Sequence, residues 1–265
     1  MTTFRLFAFA ALALTAVQPA QAGGLPDPLA ELEVLDGGLT SRGTYMAALR
    51  LTLPEGWKTY WRTPGETGIP PGFSWRGSRN LGAVAFTWPA PEVFSSDGFH
   101  SIGYRDELVL PVEITPEDPG KPVRLKGRMT FGVYKDVCVP ADAAFNHTVD
   151  TEAGRNPAIA AAMASRPFSA KEAGVQSASC RMQPIADGFR IEAHITMPSA
   201  GGREYAVIEP GTPGLYLAGS GTKRQGNTLV ATVEFLTDGA AVALDRSQMR
   251  ITVLGSDHAV DISGC

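Results

Sequence analysis

Short apolar runs, separated by proline and glycine at intervals of about 8–12 residues, constrain the fold of this chain more than any other feature. The runs alternate apolar and polar residues: residues 31–53 form one such run, which includes YMAALRLTL and ends before Pro54, and ELVLPVEITP is another. The 29 glycines and 20 prolines are spread between the runs as turn residues. This pattern predicts an all-β fold of the sandwich type.

The first residues have the plan of a secretory signal peptide. Arg5 precedes an apolar run, Leu6 to Val17, and a segment of small and polar residues ends at Ala22. The run is too short to span a bilayer, and no cysteine follows the cleavage point to take a lipid. We therefore expect cleavage after Ala22, removal of residues 1–22, and export to a bacterial periplasm.

One helical segment divides the β pattern into two parts. NPAIAAAMASRPF, residues 156–168, has Asn156 as a capping residue, a proline in the first turn and an alanine-rich body. We predict a first sandwich over residues 23–152, a helical connector over 153–174 and a second, smaller β-sandwich over 175–265. Within the second part, GSGTKRQGN is predicted to be a hairpin turn.

Charge and motif content exclude several classes of partner. The chain has 23 Lys and Arg against 27 Asp and Glu, a formal net charge of -4, and no basic stripe that would bind nucleic acid. No run after the leader is apolar and long enough for stable membrane insertion. Phosphate loops, nucleophile elbows and zinc-protease signatures are missing from the sequence, so we expect no cofactor and no small-molecule ligand.

The chain has three cysteines, Cys138, Cys180 and Cys265, so it can form one internal disulfide and leaves one thiol over. Three pairings are open. We favour Cys180–Cys265, because these residues lie in the first strand and at the last position of the second part, and the ends of a domain often lie close together. Cys138 then stays unpaired within FGVYKDVCVPADA, as a reactive thiol, a metal ligand or a small buried residue.

Four stretches, in order, resemble one known family. They are GWKTYWRTPGETGIPPGFSW, WPAPEVF, IGYRDELVLPVEI and VYKDVCVPADA, which together span about residues 30–150. The family is the N-terminal periplasmic domain of the thiol:disulfide interchange protein DsbD, in the variant related to copper-sensitivity suppressor proteins. The second part of the chain is similar, more weakly, to the companion domain of longer family members.

The resemblance implies an immunoglobulin-like sandwich that passes electrons to periplasmic disulfide proteins. In similar members a motif of cysteine, three residues, cysteine, one apolar residue and proline performs the exchange. Cys138 and Pro140 match the second cysteine and the proline, whereas Tyr134 stands at the position of the first cysteine. Dithiol exchange needs a second thiol to resolve the mixed disulfide. Cys138 can therefore form a mixed disulfide but cannot resolve it locally, unless Cys180 or Cys265 reaches it.

Neighbouring residues complete the expected site. Lys135 favours the thiolate form of Cys138 and Asp136 opposes it, so charge leaves the reactivity open. The resemblance also implies an aromatic cap over the thiol, for which Phe99 in FSSDGFHSIGYRD is the first candidate and Phe94 the second. The four histidines show no metal-ligand spacing, and we expect no metal site. A soft copper(I) site made of Cys138 with Met129 or His100 is the alternative.

Two functions from different classes remain open. In the first, the protein is a periplasmic thiol:disulfide interchange protein that handles electrons or mixed disulfides with periplasmic or membrane redox partners, with a link to copper tolerance or cytochrome c maturation. In the second, the redox site has decayed, and the sandwich is a binding or assembly module for a redox or metal-handling partner. The single cysteine of the motif leaves enzymatic activity open.

Overall fold

The structure is a computed structural model that describes residues 29–96, 98–212, 215–237, 242 and 244–265. The predicted signal peptide, residues 1–22, lies outside the described residues. Within the described part of the chain, no helix is apolar and long enough to cross a membrane.

The part of the chain before the helix forms a sandwich of two sheets. One sheet has the strand order β1-β2-β8-β5 and the other β10-β9-β3-β7-β6, with β4 paired to β9 at its side. All of these pairs are antiparallel. The strands are β1 (Glu31–Leu39), β2 (Tyr45–Thr52), β3 (Lys58–Gly65), β4 (Gly72–Ser74), β5 (Leu81–Phe86), β6 (Glu92–Ser96), β7 (Phe99–Arg105), β8 (Glu107–Pro116), β9 (Arg124–Tyr134) and β10 (Cys138–Thr148).

The core of this sandwich forms because alternate residues of each strand point between the sheets. Leu51 and Leu110 come from one sheet, Trp61 and Phe131 from the other, and all four are almost fully buried in one apolar cluster. Side chains of the other parity face outward. On β3 this places Tyr60 on the outer face of its sheet, while Thr59 faces inward and donates a hydrogen bond to the Gly132 carbonyl at 2.9 Å.

The prediction of one strand over residues 31–53 is wrong, and a second local prediction holds only in part. Residues 31–53 form two strands, because the chain reverses between Leu39 and Tyr45 through a turn with Gly43 at φ +79°. The predicted hairpin turn in GSGTKRQGN is present but shorter than expected: it occupies residues 226–227, with Gly226 at φ +60°, and residues 219–225 belong to a strand. Glycine and polar residues mark turns only on average, and here the pairing with neighbouring strands extends the regular structure through them.

The predicted helix is confirmed as α1 (Pro157–Ala164). The Asn156 side chain accepts hydrogen bonds from the amides of Ala158 and Ile159, which satisfies donors that the first turn leaves free. Ile159 and Ala162 are buried against the first sandwich, and the Ala90 amide donates to the Ser165 carbonyl at 2.8 Å. The helix therefore packs on the first sandwich as well as connecting it to the second β unit.

The rest of the described chain forms a second, smaller sandwich. Its sheets have the orders β11-β18-β17-β14 and β12-β13-β16-β15, and their inner faces share one apolar cluster. The all-β fold of two sandwich units joined by a short helix is confirmed, while the predicted domain boundaries stay a prediction. The strands are β11 (Phe168–Ser169), β12 (Ser177–Ile185), β13 (Gly188–Thr196), β14 (Tyr205–Glu209), β15 (Tyr216–Gln225), β16 (Thr228–Leu236), β17 (Arg250–Leu254) and β18 (Ala259–Ser263), with a 3-10 turn at Arg246–Gln248.

A disulfide joins Cys180 of β12 to Cys265 at the end of the chain, with Cα atoms 5.3 Å apart. It links the two sheets of the second sandwich across a separation of 85 residues. Cys138 is the free cysteine. The predicted pairing is therefore the one present in the structure.

The two sandwiches contact each other through β3 and β14. Val207 of β14 packs in the same apolar cluster as Trp61. Arg62 donates to both carboxylate oxygens of Glu209, at 3.0 and 2.8 Å, and the Thr63 hydroxyl donates to the same carboxylate at 2.6 Å. β3 reaches the second sandwich because its register with β7 shifts between Tyr60 and Gly65, which lets the residues between them bulge outward.

Candidate thiol site

Cys138 lies at the start of β10, in the hairpin that β10 forms with β9. It pairs directly with Tyr134, and residues 135–137 make the turn between them. Directly opposed residues of an antiparallel pair have Cα atoms about 4.5–5.5 Å apart and side chains on the same face. The structure therefore brings Tyr134 and Cys138 side by side, on the outer face of their sheet.

The register extends this pair into a row across four strands. Tyr134 of β9 pairs with Lys58 of β3, and Lys58 pairs with Arg105 of β7. Cys138, Tyr134, Lys58 and Arg105 therefore lie on four adjacent strands and share one face of the sheet. The Lys58 ammonium lies 4.9 Å from the centre of the Tyr134 ring, so these two side chains are in contact.

Tyr60 lies two residues from Lys58 and is the buried neighbour of the thiol. Tyr60 and Cys138 line the same cavity, and burial in the first place, then the interaction with Cys138, raises the pKa of Tyr60 above its usual value. The phenol therefore keeps its proton over the pH range in which thiols ionise, and can donate it to the sulfur.

Two glycines make room for the Tyr60 ring. A Cβ atom on Gly68 would lie 2.6 Å from the ring, and one on Gly132 would lie 2.8 Å from its other edge. Such distances are well inside van der Waals contact. The close approach of the ring therefore requires glycine at both positions, and these two residues hold the phenol beside Cys138.

A cavity of about 290 Å³ opens next to the sulfur. The side chain of Phe99 is 56% exposed, which places it at the rim of this cavity rather than in the core of the sandwich. Gly98, at φ +86°, precedes it at the turn from β6 into β7. The residues that line the cavity are Tyr60, Thr67, Ser96, Phe99, Ser101, Tyr134 and Cys138.

The other predicted site residues lie around the hairpin. Phe94 is absent from the lining of the cavity and instead packs under two cations, with Lys58 at 4.8 Å and Arg105 at 5.2 Å from its ring centre. Lys135 donates to the Glu55 carbonyl at 3.4 Å. Asp136 is exposed in the turn, and Pro140 is exposed on β10, an edge strand where the missing amide proton costs no ladder bond.

Of the alternatives left open for Cys138, the small buried residue is wrong, because the structure exposes the cysteine. The copper alternative with Met129 is also wrong. Met129 is 1% exposed in the core and lies five residues before Tyr134 on β9, so it points to the opposite face about 17 Å along the strand. In the described residues, no group of three or more His, Cys, Asp or Glu side chains is placed to hold a metal.

His100 is the residue that links the rim of the cavity to the second sandwich. Its ring stacks on Tyr205 with centres 5.1 Å apart, and its amide donates to Glu66 at 3.0 Å. Ser220 donates to the same carboxylate at 3.3 Å and shares a 2.7 Å hydrogen bond with the Tyr205 hydroxyl. His100 is thus committed to the contact between the sandwiches.

A larger cavity, of about 720 Å³, lies between the two sandwiches. Of its charged lining residues, Arg62 and Glu209 are bonded to each other, and Glu66 accepts hydrogen bonds from the His100 amide and Ser220. The thiol is not among the residues that line it. The cavity beside the thiol is thus separate from the cavity between the sandwiches.

Tyr60, Lys58 and Arg105 lie near the thiol but were not predicted from the sequence to be site residues. One signal for the first two was present, because the alternation in KTYW places Lys58 and Tyr60 on one face of a strand. Nothing local could place that face against Cys138, which is distant in the chain. Arg105 enters the row only through the register of β7 with β3.

Comparisons with known proteins agree with this geometry. Residues 28–150 match the family model described as thiol:disulfide interchange protein DsbD, N-terminal, which confirms the resemblance seen in the sequence. The crystal structure of the N-terminal periplasmic domain of ScsB from Proteus mirabilis is similar with a TM-score of 0.68 and 22% sequence identity. That similarity covers 91% of this chain and 94% of the other, so the fold is shared over both sandwiches. No curated protein matches this chain in sequence.

Proposed function

Because residues 28–150 form a domain of the DsbD N-terminal family, we propose that the protein takes part in thiol:disulfide interchange in the periplasm, with Cys138 as its reactive thiol. One observation supports this most: Cys138 is exposed and lines a cavity together with the buried phenol of Tyr60. A thiol needs both access and a stabilised thiolate to react. The predicted export of the chain agrees with this location.

The exchange step follows from the single thiol. The Cys138 thiolate attacks one sulfur of a partner disulfide, a new S–S bond forms, and the second partner sulfur leaves as a thiolate that takes a proton from water. Tyr134 faces Cys138 where a resolving thiol would stand. Cys180 and Cys265 are bonded to each other and offer no thiol. The mixed disulfide therefore persists until a thiol from another protein attacks it.

The need for an external resolving thiol determines which partners the exchange requires. A periplasmic disulfide protein supplies the bond that Cys138 attacks, and a second thiol, from that protein or from a membrane-bound reductant, releases it. The link to copper tolerance or cytochrome c maturation is part of the proposal and rests on the family resemblance. No cofactor is needed, because each step exchanges only sulfur–sulfur bonds and protons.

A binding or assembly module is the second candidate. Tyr134 at the position of the first cysteine favours it, because the substitution removes the dithiol on which the family's electron transfer depends. In that case Cys138 would form no adducts, and the face around it would bind a redox or metal-handling partner without covalent chemistry.

Trapping in cells separates the two candidates. Acid quenching of the periplasm followed by alkylation and non-reducing electrophoresis should show mixed disulfides of the wild-type protein that reductant removes. Cys138→Ser should abolish them, and Cys180→Ala with Cys265→Ala should not. If the wild-type protein forms no reducible adduct in cells that express it, the exchange function is refuted and the binding module is favoured.

A further inference from the structure

We propose that the disulfide partner of Cys138 has acidic residues at about the third and fourth positions after its cysteine, and that Lys58 and Arg105 bind them. This inference rests on the proposed exchange function and adds the chemistry of the partner. The starting point is the row in which Cys138, Tyr134, Lys58 and Arg105 lie on successive strands. The row continues from the thiol along the surface that a docked chain must cover.

Spacing in the row follows from the sheet. Neighbouring strands lie about 4.8 Å apart, so Lys58 is about 10 Å and Arg105 about 14 Å from Cys138. An extended peptide advances about 3.4 Å per residue. A partner chain that crosses the strands from its cysteine therefore reaches the two cations with its third and fourth residues.

Aromatic rings hold both cations in place. The Lys58 ammonium lies between two rings, 4.8 Å from the centre of Phe94 and 4.9 Å from that of Tyr134. The Arg105 guanidinium lies 5.2 Å from the centre of Phe94 on the same side of the sheet. Cation–π contacts fix the position of a charge without neutralising it. The row thus presents ordered positive charge beside the thiol.

Neither cation has a carboxylate partner among the described residues. No ion pair within 4.0 Å involves Lys58 or Arg105 in the described part of the chain. The nearby Asp106 accepts a hydrogen bond from the Gly56 amide at 2.6 Å. Glu92 pairs with Gly103 in the next row, on the same face, and is the carboxylate that opposes an acidic partner there.

Cations without an ion-pair partner near a reactive group mainly increase the rate at which an acidic partner associates. Complementary charges raise association rates by about 10- to 1000-fold at low salt, and the effect falls as ionic strength rises. A protein with formal net charge -4 repels acidic partners as a whole. The local pair of cations would then select acidic partners that dock in the right orientation.

Three matched peptides test this inference. Each has one cysteine in a mixed disulfide with thionitrobenzoate, and glutamate, serine or lysine at the third and fourth positions after the cysteine. Attack by Cys138 on the peptide sulfur releases thionitrobenzoate, which is followed by absorbance, and intact mass confirms the peptide adduct. The second-order rate is measured for each peptide at low salt and at about 1 M salt, where the Debye length is about 3 Å.

We expect the glutamate peptide to react about tenfold faster than the lysine peptide at low salt, and the two rates to converge at high salt. Lys58→Glu with Arg105→Glu should invert the order. Glu92→Gln should increase the preference for the glutamate peptide. Lys223→Glu, an exposed change of the same kind on β15 of the second sandwich, should leave the preference unchanged. Lys58→Gln keeps most of the stem and should reduce the preference even if the double variant does not fold.

The outcomes separate this inference from the proposed function. If Cys138 reacts with all three peptides at equal rates that salt and the Lys58 variants do not change, the acidic-partner inference is overturned and exchange stands. If Cys138 reacts with none of them, the exchange function fails, and this inference fails with it.

Discussion

At the scale of single residues, the environment of Cys138 decides what the thiol can do. The sequence predicted that Cys138 is unpaired and that Tyr134 stands at the position of the first cysteine of the family motif. The register of β9 with β10 places these two residues opposite each other. The sequence could not predict the phenol of Tyr60 beside the sulfur, because Tyr60 and Cys138 are far apart in the chain. The Tyr60 ring fits at this position because Gly68 and Gly132 leave space on its two edges.

Tyr60→Phe should slow alkylation of Cys138 at neutral pH by about tenfold. The change removes the hydroxyl that can donate to the Cys138 sulfur and leaves the ring in place, and a hydrogen bond to a charged group contributes about 1.5–3 kcal/mol. The matched control is Tyr104→Phe, which removes the hydroxyl that donates to the Pro89 carbonyl at 2.9 Å in the core. Iodoacetamide labelling followed by mass measures both. Equal rates in wild type and Tyr60→Phe would show that the phenol does not activate the thiol.

Phe99→Ala should affect bulky reagents more than small ones. Phe99 stands at the rim of the cavity and is more than half exposed, so it narrows access without sealing the thiol. We expect a maleimide with a large substituent to label Cys138 several-fold faster in the variant, and iodoacetamide to label both proteins at similar rates. Phe168→Ala, at an exposed phenylalanine of the second sandwich, is the control. If the large reagent gains nothing, Phe99 is not a cap.

At the scale of elements, the β9–β10 hairpin and strand β3 build the site. The alternating pattern predicted strands on either side of the motif, and this is correct. The row from Cys138 to Arg105 could not be predicted, because the register of β3 with β7 depends on the bulge between Tyr60 and Gly65. A strand register is set by turn geometry and by pairing across the sheet, neither of which a single run of residues reveals.

Tyr134→Cys should restore a local disulfide in the hairpin. Opposed residues in an antiparallel pair have Cα atoms about 4.5–5.5 Å apart, within the range of about 4.4–6.8 Å that disulfides need. Mild oxidation should therefore lower the mass by two hydrogen atoms, whose electrons pass to the oxidant, and protect Cys138 from alkylation. Val133→Cys is the matched control, because its side chain is buried on the opposite face. Failure of Tyr134→Cys to oxidise would contradict the register of the hairpin.

At the scale of the whole molecule, the free thiol lies in the first sandwich and the disulfide in the second. The texture of the sequence predicted two β units around one helix, and the cysteine count with the position of the chain end predicted the disulfide. Their contact was not predictable, since Arg62 and Glu209 meet only after both units fold. His100 follows Phe99 in the chain and stacks on Tyr205 of the second sandwich. The contact between the sandwiches therefore also supports the rim of the cavity.

Cys180→Ala with Cys265→Ala should destabilise the second sandwich without changing the reactivity of Cys138. A bridge across 85 residues contributes about 4 kcal/mol on the chain-entropy model. We expect the free energy of unfolding to fall by about 2–5 kcal/mol, while Cys138→Ser costs about 1 kcal/mol or less at its exposed position. Denaturant unfolding measures both. An unchanged free energy in the double variant would show that the bridge has no stabilising role.

The most direct test of Cys138 as a lone exchange thiol is the intact mass of the purified protein after incubation with oxidised glutathione. We expect one glutathione adduct, on Cys138, which persists after removal of the reagent and disappears only when an external thiol is added. Cys138→Ser should take up none. An adduct that resolves on its own into an internal disulfide would contradict the claim of a lone exchange thiol. A wild-type protein that forms no adduct at all would contradict the claim that Cys138 is reactive.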